Sequence, residues 1–340
     1  MASRKYRYIQ EMELPKISII TPSFNQGNFI EETILSVLNQ DYPNLEYIII
    51  DGGSSDQTIE VIKKYESRIK YWVSEKDSGQ SEAINKGMRL AGGEIVSWLC
   101  SDDLYLPGTL RKVAEFFKEN KNSVMLHGKS ILFDAQGKHQ IKGAEMKDIH
   151  LRYYSVIPFP QPSSFFRKKL IDEQGLLKED LHFSMDFDLL IRAALNYEIL
   201  PVDDVLSKYR LHEASKTVNK LPLFEKEWVS VFSKFIRSVN GGELYVENLK
   251  TCGLYSDGKD AYIHKKQFSQ QDIKLIVLYY LDVMSHLRYQ FLETKKASTC
   301  LALIKSIDRE FYFARNLDKI SRRMKYIPAS VIHFYRKIRK

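Results

Sequence analysis

The stretch Glu94–Asp103, which reads EIVSWLCSDD, begins as a short apolar run and ends in two adjacent carboxylates. The pair Gly92–Gly93 precedes it, and Pro107–Gly108 follows shortly after its end. A run of this length between chain breakers predicts a buried strand. Asp102 and Asp103 would then lie at the carboxyl end of that strand.

Two carboxylates at the end of a strand favour a ligand site, because ligands of open α/β sheets bind outside the carboxyl ends of the strands. Hard oxygen donors placed there suit Mg²⁺ or Mn²⁺. Those cations in turn suit a diphosphate. The alternative is that Asp102 caps a helix beginning near Pro107, while Asp103 is solvated.

The pattern outside this stretch alternates strands, polar loops and helices. Lys16–Ile20 and Leu45–Ile50 are predicted strands, and each is followed by a loop and an amphipathic helix. Asn28 and Asp56 are the expected caps of those two helices. This order predicts an α/β fold with a mainly parallel sheet flanked by helices. His127 is expected to be an ordinary strand residue, and the last third of the chain to be mostly helical.

The composition of the 340 residues, 44% hydrophobic and 12% aromatic, suits two domains or one large domain with an appendage. Cys100, Cys252 and Cys300 are far apart, which argues for a reducing compartment and against a zinc site or a disulfide framework. No apolar run is long enough to span a membrane. The polar first fifteen residues do not resemble a signal peptide. We therefore expect a cytoplasmic protein.

The positive charge is concentrated in the last third of the chain. Residues 221–340 hold 22 Lys and Arg against 12 Asp and Glu, whereas residues 1–220 hold 29 against 31. Such a shift predicts a domain boundary, with domains at 1–220 and 221–340. A pI near 9.0 raises the hypothesis of a nucleic-acid binder. The charge is not interleaved with a nucleic-acid motif, so no nucleic-acid partner is expected.

Six motifs over residues 15–218 together resemble family-2 glycosyltransferases with the GT-A fold. They are Ile17–Asn25 (ISIITPSFN), Ser36–Gln40 (SVLNQ), Asp51–Thr58 (DGGSSDQT), Gly79–Gly87 (GQSEAINKG), Ser101–Asp103 (SDD) and Asp186–Arg192 (DFDLLIR). The Asp51–Asp56 motif resembles the branch that builds bacterial O-antigens and other surface polysaccharides.

The resemblance implies a GT-A, Rossmann-like mixed sheet and an inverting, metal-dependent sugar transfer. The donor would be a nucleotide-diphosphate sugar, and the acceptor a glycan or a lipid-linked sugar. The competing hypothesis is a catalytically inactive scaffold that binds a nucleotide sugar.

The resemblance also implies roles for individual residues, with Asp186 as the catalytic base. The residues expected to bind the nucleotide sugar are Pro22, Phe24, Asp51, Gln80, Asp102 and Asp103. Asp102 and His212 would hold Mn²⁺ or Mg²⁺. From the residues alone, Asp186 could instead be an acidic residue that favours a helix start. Asp51 and His212 could likewise be structural loop residues.

Three positions depart from the family pattern. Gly52 replaces a common second Asp, and Met185 replaces a Glu that often precedes the base. Cys100 stands where many relatives have the first acid of the metal motif, which leaves the cation one direct carboxylate ligand.

The C-terminal segment, residues 309–340, holds ten Lys and Arg against two Asp and Glu. Apolar residues from Ile327 to Tyr335 could form one face of a short helix beginning near Ala329. A basic helix with such a face can lie in the headgroup layer of a membrane. We therefore expect a peripheral contact with anionic lipid at the inner face of the cytoplasmic membrane. The alternatives are that this face packs on the catalytic domain or that the charges are simply solvated.

Overall fold

The computed structural model describes residues 14–143, 148–212 and 221–326. Its strands are β1 Ile17–Ser23, β2 Leu45–Asp51, β3 Tyr71–Ser74, β4 Ile95–Trp98, β5 Leu104–Tyr105, β6 Ser123–Asp134, β7 His139–Lys142, β8 Ser164–Arg167 and β9 Glu198–Leu211. Its helices are α1 Ile30–Leu38, α2 Thr58–Lys64, α3 Gln80–Leu90, α4 Thr109–Glu119, α5 Ile149–Arg152, α6 Lys169–Gln174, α7 Met185–Asn196, α8 Leu221–Ser238, α9 Val246–Thr251, α10 Gln270–Gln290, α11 Thr294–Ile307, α12 Arg309–Ala314 and α13 Leu317–Tyr326.

The chain divides into two compact units. The first contains the described residues up to Ile149 together with Pro158–Glu227, and the second contains His150–Ile157 and the described residues from Trp228 onward. The division falls within α8. The domain boundary expected at residue 220 stays a prediction.

The first unit is built on a mixed sheet with the strand order β3-β2-β1-β4-β8-β6-β9-β5, and β7 pairs with β6. β1 lies between β2 and β4 and runs parallel to both, while β8 is antiparallel to β4. Ser23 at the end of β1 is in register with Asp51 at the end of β2. The carboxyl ends of these parallel strands therefore meet at one edge of the sheet, as the sequence pattern predicts.

Helices cover this sheet through apolar side chains spaced one helical turn apart. α1 buries Ile30, Ile34 and Val37 in the main core of the unit. Each such side chain contributes about 1.5–3 kcal/mol when it leaves water. α3 lies close to β1, because a Cβ added at Gly87 would come within 2.4 Å of the Ile20 side chain. This close approach explains why a glycine stands at position 87 of α3.

The prediction that Asn28 caps the first helix is wrong. α1 begins at Ile30, and Phe29 precedes it without a side-chain cap. The Asn28 side chain instead accepts a hydrogen bond from Gln57 Nε2 at 3.0 Å. Asp56 does accept the amide of Thr58, the first residue of α2, at 3.0 Å. A contact with a distant loop thus displaces the local capping bond that the sequence favours.

The elements of the second unit are all helices within its described residues, apart from the long non-helical connection at residues 252–269, and this agrees with the mostly helical C-terminal region that the sequence predicts. Ser269 begins α10 with a capping box, in which Ser269 and Asp272 each accept the other's backbone amide. The rings of Phe232 and Tyr280 stack with centroids 3.6 Å apart. Arg288 is buried and donates to the carbonyl of Cys252 at 2.7 Å. Across the described part of the chain, no helix has the length and apolar character needed to cross a bilayer.

Candidate active site

Two loops at the carboxyl edge of the sheet are joined by hydrogen bonds. The β1–α1 loop consists of residues 24–29, and the β2–α2 loop consists of residues 52–57. The bonds run from Asn25 N to Ser54 Oγ (2.7 Å), from Gln26 N to Thr58 Oγ1 (2.9 Å), from Gly27 N to Asp56 Oδ2 (2.9 Å) and from Ser55 N to Asn25 Oδ1 (2.9 Å). Asn25 adopts a left-handed conformation with φ of 51°. The two loops therefore form one preorganised wall of the site.

Asp51 organises the β2–α2 loop from the end of β2. Its carboxylate is 0% exposed and accepts hydrogen bonds from Gly53 N, Ser54 N, Ser54 Oγ and Ser74 Oγ at 2.5–3.1 Å. These bonds give Asp51 a structural role in the loop. Its predicted contact with a nucleobase stays a prediction.

Pro22 and Phe24 lie at the end of β1 and just beyond it. Pro22 is buried within the strand, whereas Phe24 is 60% exposed at the start of the β1–α1 loop. An exposed aromatic ring can stack on a flat base, with a gain of about 0.5–1.5 kcal/mol beyond burial. Of the two predicted residues, only Phe24 presents its side chain openly to a ligand.

Asp102 and His212 come together although 110 residues separate them in the chain. His212 Nε2 and Asp102 Oδ2 share a hydrogen bond of 2.9 Å. The His212 ring also lies against Phe29, with centroids 4.8 Å apart. The sequence prediction that these two residues belong to one site is consistent with this geometry.

Asp103 faces inward rather than toward solvent. It is 2% exposed, and Oδ1 accepts the backbone amide of Arg210 at 3.0 Å. Burial raises the pKa of the Asp103 carboxyl well above its ordinary value, and the adjacent Asp102 charge raises this pKa further. Arg210 also donates from Nε to the Asp102 carbonyl at 3.0 Å. The alternative of a solvated Asp103 is therefore wrong.

Cys100, Asp102 and Asp103 form a group that could hold a cation. Their ligand atoms lie within 4.8 Å of one another. Gln80 Nε2 donates to Cys100 Sγ at 3.1 Å, which brings the first residue of α3 to the same place. Carboxylate oxygens with a nearby imidazole suit Mn²⁺ or Mg²⁺, and a thiol favours the softer of the two. The donor set therefore fits a divalent cation.

Asp186 lies in the first turn of α7 and is partly exposed. Its Oδ1 accepts the amide of Phe187 at 2.9 Å. The neighbouring Asp188 is buried and pairs with Arg192 at 2.8 Å, so Asp188 is structural. Met185 is buried at 6% exposure, which explains why an apolar residue stands there.

The start of α3 contacts both the cation group and the segment that precedes Asp186. Gln80 contacts Cys100, while the next residue, Ser81, donates from Oγ to the carbonyl of Leu181 at 2.8 Å. A Cβ added at Gly79 would lie 3.5 Å from the His182 ring. The segment that precedes Asp186 therefore lies against the helix whose first residue contacts the cation group.

Asp77, an acid that the sequence analysis did not single out, lies beside Gly52. A Cβ added at Gly52 would come within 2.7 Å of Asp77 Oδ2. Burial raises the pKa of the Asp77 carboxyl, and the charges of Glu82 and Asp51 add to that effect. A second carboxylate at position 52 would therefore clash with Asp77. Position 77 could have been suspected only from its place after β3.

His127 is a structural residue, as expected. It lies in β6, is 0% exposed and stacks on Phe159 with centroids 4.0 Å apart. Burial lowers its pKa to about 3, so the imidazole is neutral at ordinary pH.

Residues 18–175, which include both loops and the cation group, match the family model described as Glycosyl transferase family 2. The chain carries a glycosyltransferase family 2 domain. The family and the enzyme class expected from the six motifs are thereby confirmed. The DGGSSD branch assignment stays a prediction.

Curated relatives of this transferase carry matching names. An uncharacterized glycosyltransferase of Rickettsia typhi is 29% identical over 275 residues, which is 75% of this chain and 84% of the relative. The putative teichuronic acid biosynthesis glycosyltransferase TuaG of Bacillus subtilis is 38% identical over 121 residues, covering 35% of this chain and 48% of TuaG.

Two solved structures share the fold of the transferase at low sequence identity. S. aureus TarS 1-349 in complex with UDP-GlcNAc has a TM-score of 0.57 at 19% identity, covering 87% of this chain and 82% of that one. The mannosyltransferase PcManGT of Pyrobaculum calidifontis, in complex with GDP-Man and Mn²⁺, has a TM-score of 0.52 at 17% identity, covering 97% and 89%. The expected GT-A fold is confirmed.

Proposed function

We propose that this family 2 transferase is an inverting, metal-dependent enzyme. It moves a sugar from a nucleotide-diphosphate donor to a glycan or a lipid-linked sugar in the synthesis of a cell-surface polysaccharide. The observation that carries the proposal is the cation group Cys100, Asp102 and Asp103, whose neighbour Gln80 begins the helix α3, because the next residue of that helix, Ser81, also bonds the segment that precedes Asp186. TuaG, named for teichuronic acid biosynthesis, supports the polysaccharide assignment.

The donor would bind along the preorganised wall of the two joined loops. The Phe24 ring would stack on the base, while Gln80 and Asp103 would line the side nearest the diphosphate. The complexes of TarS with UDP-GlcNAc and of PcManGT with GDP-Man support a nucleotide-sugar donor. Hydrogen bonds between the loops already hold this wall in place. Little conformational entropy is therefore lost when the donor binds, and the affinity is correspondingly higher.

Asp102 and His212 would hold the cation, with Cys100 and Asp103 beside them. When bound, Mn²⁺ or Mg²⁺ supplies positive charge that stabilises the departing diphosphate. The presence of Mn²⁺ in the PcManGT complex supports this choice of ion.

Asp186 would take the proton from the acceptor hydroxyl. The hydroxyl oxygen then attacks the anomeric carbon from the face opposite the diphosphate, and the bond to the diphosphate breaks. This displacement inverts the configuration of the sugar. A carboxylate in a first helical turn, with Oδ1 fixed by the Phe187 amide, keeps its second oxygen at a defined position.

A thermal-shift screen of nucleotide-diphosphate sugars in the presence of Mn²⁺ tests the proposal. A donor at 100 times its Kd should stabilise the folded state by about 2.7 kcal/mol and raise Tm by a few degrees. Product analysis by NMR with the best donor should then show inverted anomeric configuration. Binding without turnover, over a panel of acceptors, would favour the inactive scaffold.

We also propose that the second unit meets an anionic membrane through its basic end. In α13, Lys319, Arg322, Arg323 and Lys325 are exposed, and Tyr326 is 70% exposed. The apolar face predicted from Ile327 onward lies outside the described residues. Each basic residue near an anionic surface contributes about 1 kcal/mol of binding. Such a contact would bring a cytoplasmic enzyme to a lipid-linked acceptor at the inner face of the membrane.

Co-sedimentation with vesicles of anionic lipid checks this contact. We expect binding at low salt that weakens as salt rises, because salt screens exposed charges. Reversing the charge of Arg322, Arg323 and Lys325 to Glu should abolish it. The matched control reverses Lys63, Lys70 and Lys121, which are exposed in the first unit and give the same change in net charge. Equal loss of binding in both triple variants would contradict a role for α13.

A further inference from the structure

A carboxylate on α8 receives three consecutive backbone amides that lie directly before α7. Glu227 Oε1 accepts His182 N at 2.9 Å, and Oε2 accepts Phe183 N at 2.7 Å and Ser184 N at 2.9 Å. The ring of Phe224, one turn earlier in α8, lies 6.1 Å from that of Phe183. The start of α8 thus packs on this segment and binds it through its backbone.

Glu227 caps the start of α7, which has no side-chain cap of its own. Ser184 occupies the N-cap position, but its hydroxyl is buried and has no hydrogen-bond partner among the described residues. The amides at a helix start carry partial positive charge, so a carboxylate there is favourable. Hydrogen bonds to a charged acceptor are also stronger than neutral ones.

The rest of this segment is fixed by other residues. The Leu177 carbonyl accepts from Asn85 Nδ2 at 2.9 Å, and the Leu181 carbonyl accepts from Ser81 Oγ at 2.8 Å. Glu227 therefore holds the last three residues of a segment that α3 anchors further upstream. Asp186 follows Ser184 by two residues, so the position of these amides determines where its carboxylate lies.

We infer that Glu227 is a positioning residue for Asp186. This inference rests on the proposed function, in which Asp186 is the base. Glu227 acts through the backbone of residues 182–184 and touches neither donor nor acceptor. A base must be held to within about 0.5 Å of its working geometry, and a displacement of about 1 Å can lower the rate about 10²-fold. The loops that would bind the donor are held by separate hydrogen bonds.

The test is Glu227→Gln, which keeps the size of the side chain but presents an NH₂ group to amides that need acceptors. We expect kcat to fall about tenfold or more, while the Kd of the donor nucleotide with Mn²⁺ changes less than about twofold. Hydrogen exchange should accelerate at the amides of residues 182–184. Glu119→Gln, the same change at an exposed residue that ends α4, should leave all three quantities unchanged.

A double-mutant cycle separates positioning from general destabilisation. In an Asp186→Asn background, Glu227→Gln should lower kcat by less than about twofold, because the base it positions is gone. An equal loss in both backgrounds, or a loss confined to donor Kd, would overturn the inference. So would unchanged exchange at residues 182–184 with unchanged kcat.

Failure of the proposed function gives a different pattern. If Asp186→Asn keeps full kcat while Glu227→Gln still accelerates exchange, then Asp186 is not the base and the assigned role of Glu227 is wrong for that reason. Should Glu227→Gln not fold, Glu227→Asp carries the test. Its side chain is one methylene shorter, so its carboxylate cannot reach all three amides. We therefore expect kcat to fall and hydrogen exchange at residues 182–184 to accelerate. Full kcat in a folded Glu227→Asp with accelerated exchange would overturn the inference.

Discussion

Replacing Asp102 by Ala is expected to abolish sugar transfer, with kcat at least about 10³-fold lower. The substitution removes the carboxylate that faces His212 and would hold the cation. Charge stabilisation of a departing diphosphate by a cation is worth several kcal/mol, and about 4 kcal/mol corresponds to about 10³-fold in rate. The fold should survive, because Arg210 Nε bonds the backbone carbonyl of Asp102 rather than its side chain.

Steady-state kinetics with titrated Mn²⁺, together with calorimetric measurement of Mn²⁺ binding, check this result. Asp102→Asn keeps an oxygen ligand without its charge and should lie between wild type and Asp102→Ala. Asp180→Ala changes an exposed aspartate outside the cation group and serves as the matched control. Full activity of Asp102→Ala, or of the wild type in excess EDTA, would exclude the metal role.

Asp186→Asn is expected to lower kcat by about 10²-fold or more, with donor affinity little changed. The amide oxygen of Asn can still accept the Phe187 amide, so the side chain should keep its place in α7. What is lost is the basicity needed to take the proton of the acceptor hydroxyl.

The measurement combines kcat and KM for the acceptor with calorimetric Kd for the donor. Asp180→Asn makes the same chemical change on an exposed residue of the preceding segment and should have no effect. A collapse of donor affinity in Asp186→Asn, with kcat retained at saturation, would instead make Asp186 a binding or structural residue.

The strand ends of this transferase could be predicted because they depend on local sequence. Apolar runs between breakers mark β1, β2 and β4, and parallel pairing then forces Asp51 and Asp102 to the same edge of the sheet. The burial of Asp103 could not be predicted from the same pattern, because the carboxylate is bonded by the backbone amide of Arg210, which lies in a strand more than 100 residues later.

Contacts between distant segments explain the other features that the sequence did not predict. The Asn28 side chain bonds Gln57 instead of capping α1. Asp77 fills the space beside Gly52. Glu227 caps a helix that begins 42 residues before it. In each case the two residues that meet are far apart in the sequence. Only the fold brings them together, so local sequence preferences cannot predict the contact.

Four of the hydrogen bonds that join the β1–α1 loop to the β2–α2 loop and Thr58 have a consequence for protein engineering. Every one of them pairs a backbone amide of one loop with a side chain of the other loop or of Thr58. Grafting one loop from a homologue would leave those amides without acceptors. Donor preference in this enzyme should therefore be exchanged by transplanting both loops together, as a single module.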